Sequence, residues 1–435
     1  MSRPPVAHVN YSFFHSTQSF IYFYLAALGR VRPICLTRGR ESPLISEQIP
    51  APLRGDFYMY AGSDGGRSRL WSKGVGVRRA LTRLPRGAGE RTLEVLQRRV
   101  IPHVRPDTDP AMFVDWAEGV LREREAELIH AYFGPVAWRM LALRRRLGLP
   151  LVVSFLGDEV APSLSPWWSW WIRTGDEPPD WPARLRELFE DADLLLAEGP
   201  FLRDRLIELG CPPEKVDVQR IAIPVGDMEF RARTAPRGRP VVMFAGRFCE
   251  QKGLLEALRA VRDLRAEGRE LEFRIIGDDT LTDGRYAARV NAFIREQGLD
   301  DCVTRLGFVN HDRYIEEMER ADVFLHPSVV DSAGATEGGA PTTIIEAQAL
   351  GMPVVSTLHC DIPNVTVPGE SAELVPERDA AALARALGSV LDDPGRWEAM
   401  GRAGRRHVES NHDIAKEVEL LEDRYLSLLA PAGVR

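Results

Sequence analysis

The sequence predicts an α/β protein of two lobes, each built on a parallel sheet, and three observations predict it. The chain has 435 residues, more than one ordinary hydrophobic core serves. From about Pro240 onward, short β-branched runs alternate with amphipathic segments of helical length, the rhythm of right-handed βαβ crossovers. The first half repeats that rhythm less cleanly.

In the second half VVMFAG (241–246) reads as a strand, followed by a helix to about Leu264, then FRIIG (273–277) and a helix through Phe293. TRLGF (304–308), a helix over 314–320, DVFLHPS (322–328), a helix over 342–350 and PVVST (353–357) complete the series. In the first half PICLT (33–37), LIHAYF (128–133), LVVSFLG (151–157), LLLAEG (194–199) and VDVQRIAI (216–223) read as strands, with a helix over 136–147. Residues 38–115 are the least readable, and 162–182 is a Trp/Pro-rich insertion whose indoles read as satellite core. RTAPRGRP (233–240) is the expected linker. The expected units are therefore a first lobe over 1–232, a second over 233–412, and a C-terminal helix over 413–435. That helix follows the last helices of the second lobe with no strand after it, leaving it free to pack back on the first lobe.

Hydrophobic content of 44% and charged content of 27% fit a globular chain. Five cysteines without a C-x-x-C pair read as free thiols, and no signal peptide or span of about 20 apolar residues is visible, so a cytosolic location is expected. A net charge of −7 argues against nucleic acid as a partner. Between Arg67 and Arg105, however, eleven Lys and Arg residues face two glutamates, a stretch fit for a solvated face, a phosphate-bearing acceptor or the inner face of an anionic membrane.

Chemistry concentrates in EGGAPTTIIEAQALGMPVVST (337–357). Gly338 and Gly339 make a loop, Pro341 suits a first helical position, and the amides of Thr342 and Thr343 with the helix dipole can receive a phosphate. Glu346, a turn later, is placed to accept ribose hydroxyls. In GRFCEQKG (246–253), Arg247 follows a strand and Lys252 stands where a helix begins, so both point at the C-terminal edge of a sheet, where ligands bind. A guanidinium and an ammonium there stabilise charge growing on a departing diphosphate, in place of a divalent metal. No metal or other cofactor is expected.

These segments resemble the retaining GT-B glycosyltransferases of family 4, strongly over 241–391 and more weakly over 8–230. Gly246 to Gly253 matches G-R-x-x-x-x-K-G; IIGDD, RLGFVNH, ADVFLHPS and, in the first lobe, STQSFI, IHAYFGP and ELGCPPEKV are further points of likeness. The resemblance implies two Rossmann-like lobes facing across a cleft and transfer of a hexose-type sugar, with retention, from a UDP- or GDP-sugar to a hydroxyl of a saccharide, lipid-linked glycan or natural product. It implies a donor held by Gly246, Arg247, Lys252 and Gly277 around the diphosphate, Val309 near the base and Glu346 on the ribose. Glu337, with Gly339, Ala340, Pro341, Thr342 and Thr343, lies on the sugar, which makes Arg247, Lys252 and Glu337 the catalytic candidates. Thr17, His130, Gly157 and Asp158 are the candidates on the acceptor side or at the donor sugar.

Two departures stand out. Eight residues separate Glu337 from Glu346 where the family has seven, and Leu156 precedes Gly157 where a histidine commonly contacts the donor sugar. Other candidates are weaker. Asp191 and Asp193 have D-x-D spacing but sit at a helix end and read as capping or turn residues. GSDGGR (62–67) lacks the lysine and hydroxyl of a P-loop. His15, His103, His130, His311 and His326 show no ligand spacing. The alternatives to a transferase are a GT-B nucleotide-sugar epimerase and a non-catalytic nucleotide-sugar-binding protein.

Overall fold

The computed structural model describes residues 3–10, 19–37, 56–60, 110–160, 181–236, 238–278 and 284–431. Thr17, the basic stretch from Arg67 to Arg105, GSDGGR, the indole cluster at 167–171, His15 and His103 lie outside the described residues, as does the side chain of Asp158.

The first lobe is a parallel sheet of β1 (Pro5–Asn10), β2 (Arg32–Thr37), β3 (Phe57–Met59), β4 (Leu128–Tyr132), β5 (Leu151–Phe155), β6 (Leu194–Ala197) and β7 (Val216–Val218). Its order is β3-β2-β1-β4-β5-β6-β7. Helices α1 (Ser19–Ala27), α2 (Pro110–Glu123), α3 (Gly134–Leu147), α4 (Trp181–Asp191) and α5 (Pro200–Glu208) connect the strands. The second lobe has β8 (Val241–Ala245), β9 (Glu272–Ile276), β10 (Val303–Gly307), β11 (Val323–His326), β12 (Val354–Thr357) and β13 (Ala372–Val375), ordered β10-β9-β8-β11-β12-β13 and again parallel. Its helices are α6 (Leu254–Ala266), α7 (Arg285–Glu296), α8 (His311–Arg320), α9 (Thr342–Ala349), the single turn α10 (Ile362–Val365), α11 (Ala380–Asp392) and α12 (Trp397–Asn411). Strands such as LVVSF and VVMFA are apolar nearly throughout because helices cover both faces of a parallel sheet.

Each sheet changes direction once, between β1 and β4 in the first lobe and between β8 and β11 in the second. Such a reversal leaves a crevice beyond the strand ends, where α/β sheets take ligands.

The last helix, α13 (Ile414–Leu429), returns to the first lobe. Val418, Leu421 and Tyr425 pack with Val6, Tyr24, Val31, Leu128, Val152 and Leu196 in one buried cluster. Glu422 accepts the N–H groups of Gly29 and Arg30 at 2.8 and 2.5 Å, closing the turn between α1 and β2.

Two boundaries differ from the sequence reading. The strand expected over 216–223 ends at Val218, and residues 221–225 carry the chain between lobes. There Ile223 forms a parallel bridge with Asp413, so both crossings of the chain run side by side. The expected linker over 233–240 is held by the second lobe at its start: Arg233, the first residue expected of that lobe, is buried and donates to the carbonyls of Met318 and Ala321 at the end of α8. An unpaired guanidinium could not be buried there, so these carbonyls fix where the stretch at 233 lies.

Candidate active site at the second-lobe crevice

Arg247 and Lys252 follow β8, and His326 ends β11, so the crevice between β8 and β11 gathers them. Gly277, directly after β9, has φ +126, and a Cβ there would fall 1.9 Å from the Gly246 carbonyl oxygen. Only glycine permits that approach of two strand ends.

Lys252 forms a part-buried ion pair with Glu337, the side chains being 16% and 6% exposed. The other Glu337 oxygen accepts the Ser328 hydroxyl at 2.8 Å. Burial raises the pKa of this carboxyl, but the Lys252 ammonium and the His326 ring together outweigh burial and hold it well below the ordinary carboxylate range. The extra residue before Glu346 therefore does not turn Glu337 away from the diphosphate candidates. The Glu337 carboxylate is directed at Lys252.

His326 is fully buried, stacked on Phe244 and Phe324 with ring centroids 5.4 and 5.8 Å away. Neither ring nitrogen has a hydrogen-bond partner among the described residues, and Nε2 lies 3.6 Å from Glu337 Oε1. Burial lowers its pKa and favours the neutral ring. Sequence reasoning set His326 aside for want of ligand spacing and passed over Ser328. Their signal was a polar pair closing the apolar run DVFLHPS.

The helix α9 opens the other wall. Pro341 is its N-cap residue, one position earlier than expected, and Ala340 just before it is buried. Among the described residues, the Thr342 and Thr343 amides donate to no other group, leaving the helix start able to receive an anion. Glu346 is buried in the next turn, where Oε2 accepts the Tyr314 hydroxyl at 2.7 Å. Burial pushes its pKa up to about 7, against the lowering effect of the Tyr314 bond. Val309 follows β10 at the sheet edge and is half-buried.

The first lobe meets this loop directly. Gly157 faces the backbone at Glu337 and Gly338, and a Cβ on Gly339 would overlap the buried Glu198 carboxylate. Asp361, after β12, reaches the opposite lobe and accepts the Phe201 N–H at 2.9 Å at the start of α5. That helix has no side-chain cap of its own, so a carboxylate from the second lobe serves it.

His130 is not brought to this site. It is 1% exposed, with Nδ1 2.5 Å from the Tyr425 hydroxyl and Nε2 2.8 Å from Ser154 Oγ. Both nitrogens are engaged inside the core that receives α13, because β4 is a central strand and its third residue points inward. Asp193 pairs with Arg144 and accepts the Leu151 N–H, while Asp191 pairs with Arg145. These arginine bonds, more than capping, account for the D-x-D spacing. Among the described residues no group of three or more His, Cys, Asp or Glu is placed to hold a metal, and no helix is long and apolar enough to cross a membrane.

Residues 227–407 match the family described as Glycosyl transferases group 1, and residues 54–221 match the Glycosyl transferase 4-like domain. The chain belongs to the GT-B, family 4-type glycosyltransferases. The putative colanic acid biosynthesis glycosyltransferase WcaL of Salmonella typhimurium is 38% identical over 46% of this chain and 48% of its own length. The GDP-mannose-dependent alpha-(1-6)-phosphatidylinositol monomannoside mannosyltransferase of Mycolicibacterium smegmatis is 29% identical over 68% of this chain and 74% of its own. The chain thus spans about half the length of the WcaL-type relatives it matches. Among solved structures, Anabaena HepE in complex with UDP superposes with a TM-score of 0.70 at 15% identity, covering 98% of this chain and 100% of the other. That likeness establishes the two-lobed GT-B fold of this family 4-type chain.

Proposed function

We propose that this protein is a metal-independent, retaining hexosyltransferase that uses a UDP- or GDP-sugar and a hydroxyl acceptor on a saccharide, lipid-linked glycan or natural product. The observation that carries the reading is the part-buried Lys252–Glu337 pair beside the start of α9. A donor diphosphate entering there is met by Arg247, Lys252 and the first-turn amides, and Lys252 exchanges a carboxylate partner for a phosphate one. Glu337, released from part of its pairing, then serves the sugar hydroxyls, and Glu346 the ribose. With both carboxylates so occupied, the departing diphosphate takes the acceptor proton on the face it leaves, which retains configuration.

Relatives named for colanic acid and amylovoran biosynthesis support a saccharide acceptor. The UDP bound to HepE and the GDP-mannose dependence of the mycobacterial relative support the two donor classes. A thermal-shift screen over UDP- and GDP-sugars tests the reading, since a ligand at a hundred times Kd adds about 2.7 kcal/mol. No shift with any of them would overturn it, and an isomerised donor formed without acceptor would make the protein an epimerase.

A further inference from the structure

His359 follows β12 and is 1% exposed, yet all of its polar capacity is used. Its Nε2 accepts the backbone N–H of Glu337 at 3.0 Å, and its Nδ1 lies 2.7 Å from Glu377 Oε1. A nitrogen that accepts an N–H carries no proton, so the proton of the neutral ring sits on Nδ1 and is donated to Glu377. Cys360 Sγ lies 3.3 Å from the same Nε2.

Glu377 follows β13, and its second oxygen accepts the Val330 N–H at 2.7 Å in the loop after β11. Burial raises the Glu377 pKa, but the His359 and Val330 bonds outweigh it and keep the carboxylate ionised. Its neighbour Arg378 donates to the Val330 carbonyl and to Glu250, which precedes Lys252 in the loop after β8. The loops after β8, β11, β12 and β13 are therefore joined in one ring that closes on Glu337. Lys252 and Ser328 hold its carboxylate, and His359 holds its amide.

We propose that the His359–Glu377 pair is a positioning element for the donor sugar: it fixes the peptide of Glu337 so that the carboxylate meets the sugar, and it takes no part in holding the nucleotide. This rests on the reading of Glu337 as the donor-sugar residue. His359 touches no reacting atom. Its effect passes through the Glu337 amide, and freeing that amide lets the loop at 336–339 rotate while Arg247, Lys252 and the start of α9 stay in place.

The test compares His359→Ala, His359→Gln and Glu377→Gln with wild type and Glu337→Ala. Affinity for free UDP and GDP is read by calorimetry, and release of UDP or GDP from UDP-glucose or GDP-mannose gives kcat and KM. His359→Ala is expected to lower kcat by about tenfold or more, the loss of one buried hydrogen bond, with nucleoside diphosphate affinity within about twofold of wild type. His359→Gln restores an oxygen near the Nε2 position and is expected to recover most of that loss. Glu377→Gln keeps shape and removes charge, so it stays informative even if His359→Ala does not fold; its expected kcat is lowered about threefold or more. Wild-type kcat in Glu377→Gln, equal impairment of His359→Ala and His359→Gln, or a parallel loss of nucleoside diphosphate binding would overturn the inference. Failure of the underlying reading looks different: wild type then binds neither UDP nor GDP, and Glu337→Ala has no effect on nucleotide release.

Discussion

Gly157 of the first lobe and Gly338 of the second meet backbone to backbone: a Cβ on Gly157 would lie 2.6 Å from the Gly338 Cα and 3.0 Å from the Glu337 carbonyl oxygen. Gly157 also holds φ +125, a conformation that side chains disfavour. Gly157→Ala is therefore expected to push the lobes apart at the donor loop. Turnover should fall by about tenfold or more while the unfolding temperature changes by only a few degrees, because the contact spans two cores and lies inside neither. Unchanged turnover in this variant would show that the lobe contact is idle during catalysis.

Breaking the Lys252–Glu337 pair has two consequences that can be separated. Lys252→Ala strands a carboxylate that is 6% exposed, which costs about 3–5 kcal/mol of stability. It also removes a charge partner of the diphosphate, for which a loss of about a hundredfold in kcat is expected. The double variant Lys252→Ala, Glu337→Gln should regain stability without regaining activity. Denaturant melts beside kinetics decide whether it does.

Glu346 gives the protein a pH dependence whose sign is fixed. Its carboxyl titrates near pH 7 in the folded chain against an ordinary 4.5, so the folded state binds the proton more tightly than the unfolded state. The stability this contributes is complete below pH 4.5 and is lost as pH rises through 7, to a total of about 3 kcal/mol. Glu346→Gln cannot titrate. Its stability relative to wild type should therefore improve from about pH 5 to pH 7 and level off above that, and a difference that stays flat throughout would contradict the burial argument. In kinetics the same variant should raise donor KM more than it lowers kcat.

If Arg247 and Lys252 do the work of a metal, as proposed, activity survives EDTA. Loss on chelation with recovery in magnesium or manganese would count against that role for Arg247 and Lys252.

Tyr425→Phe tests the seat of the last helix. Losing the hydroxyl leaves His130 Nδ1 buried without its partner, at a cost of about 1–3 kcal/mol, while UDP and GDP affinity should not change. A melting temperature equal to that of wild type would mean that the bond contributes nothing net.

The legible parts of this protein are those where one stretch of sequence carries the whole signal. VVMFA and LVVSF announce buried strands by composition, and the C-terminal helix expected within 413–435 forms over Ile414–Leu429. Arg247, Lys252 and Glu346 could be named as candidates because phosphate and ribose chemistry calls for such groups beside glycine loops, and Glu337 because the family resemblance implies it. β1 escaped notice because His8 and Asn10 are polar, although both are fully buried. His359 and Glu377 were invisible for another reason. They stand 22 and 40 residues beyond Glu337, and only the neighbouring positions of β12 and β13 in the sheet bring them to it. His130 shows the converse, a residue in a recognisable segment whose hydrogen bonds face the interior.

The return of α13 to the first lobe also sets an order of events during synthesis. Val6, Leu128, Val152 and Leu196 belong to strands made early, yet the surface that covers them comes from Val418, Leu421 and Tyr425. When the ribosome has completed β7 the first sheet can pair its strands, but one patch of its face stays wet for almost two hundred further residues. At about 5–20 residues per second that interval lasts roughly 10 to 40 seconds. The lobe begun first is therefore the lobe finished last, and a nascent chain stalled before residue 414 carries an uncovered apolar face that a chaperone can recognise.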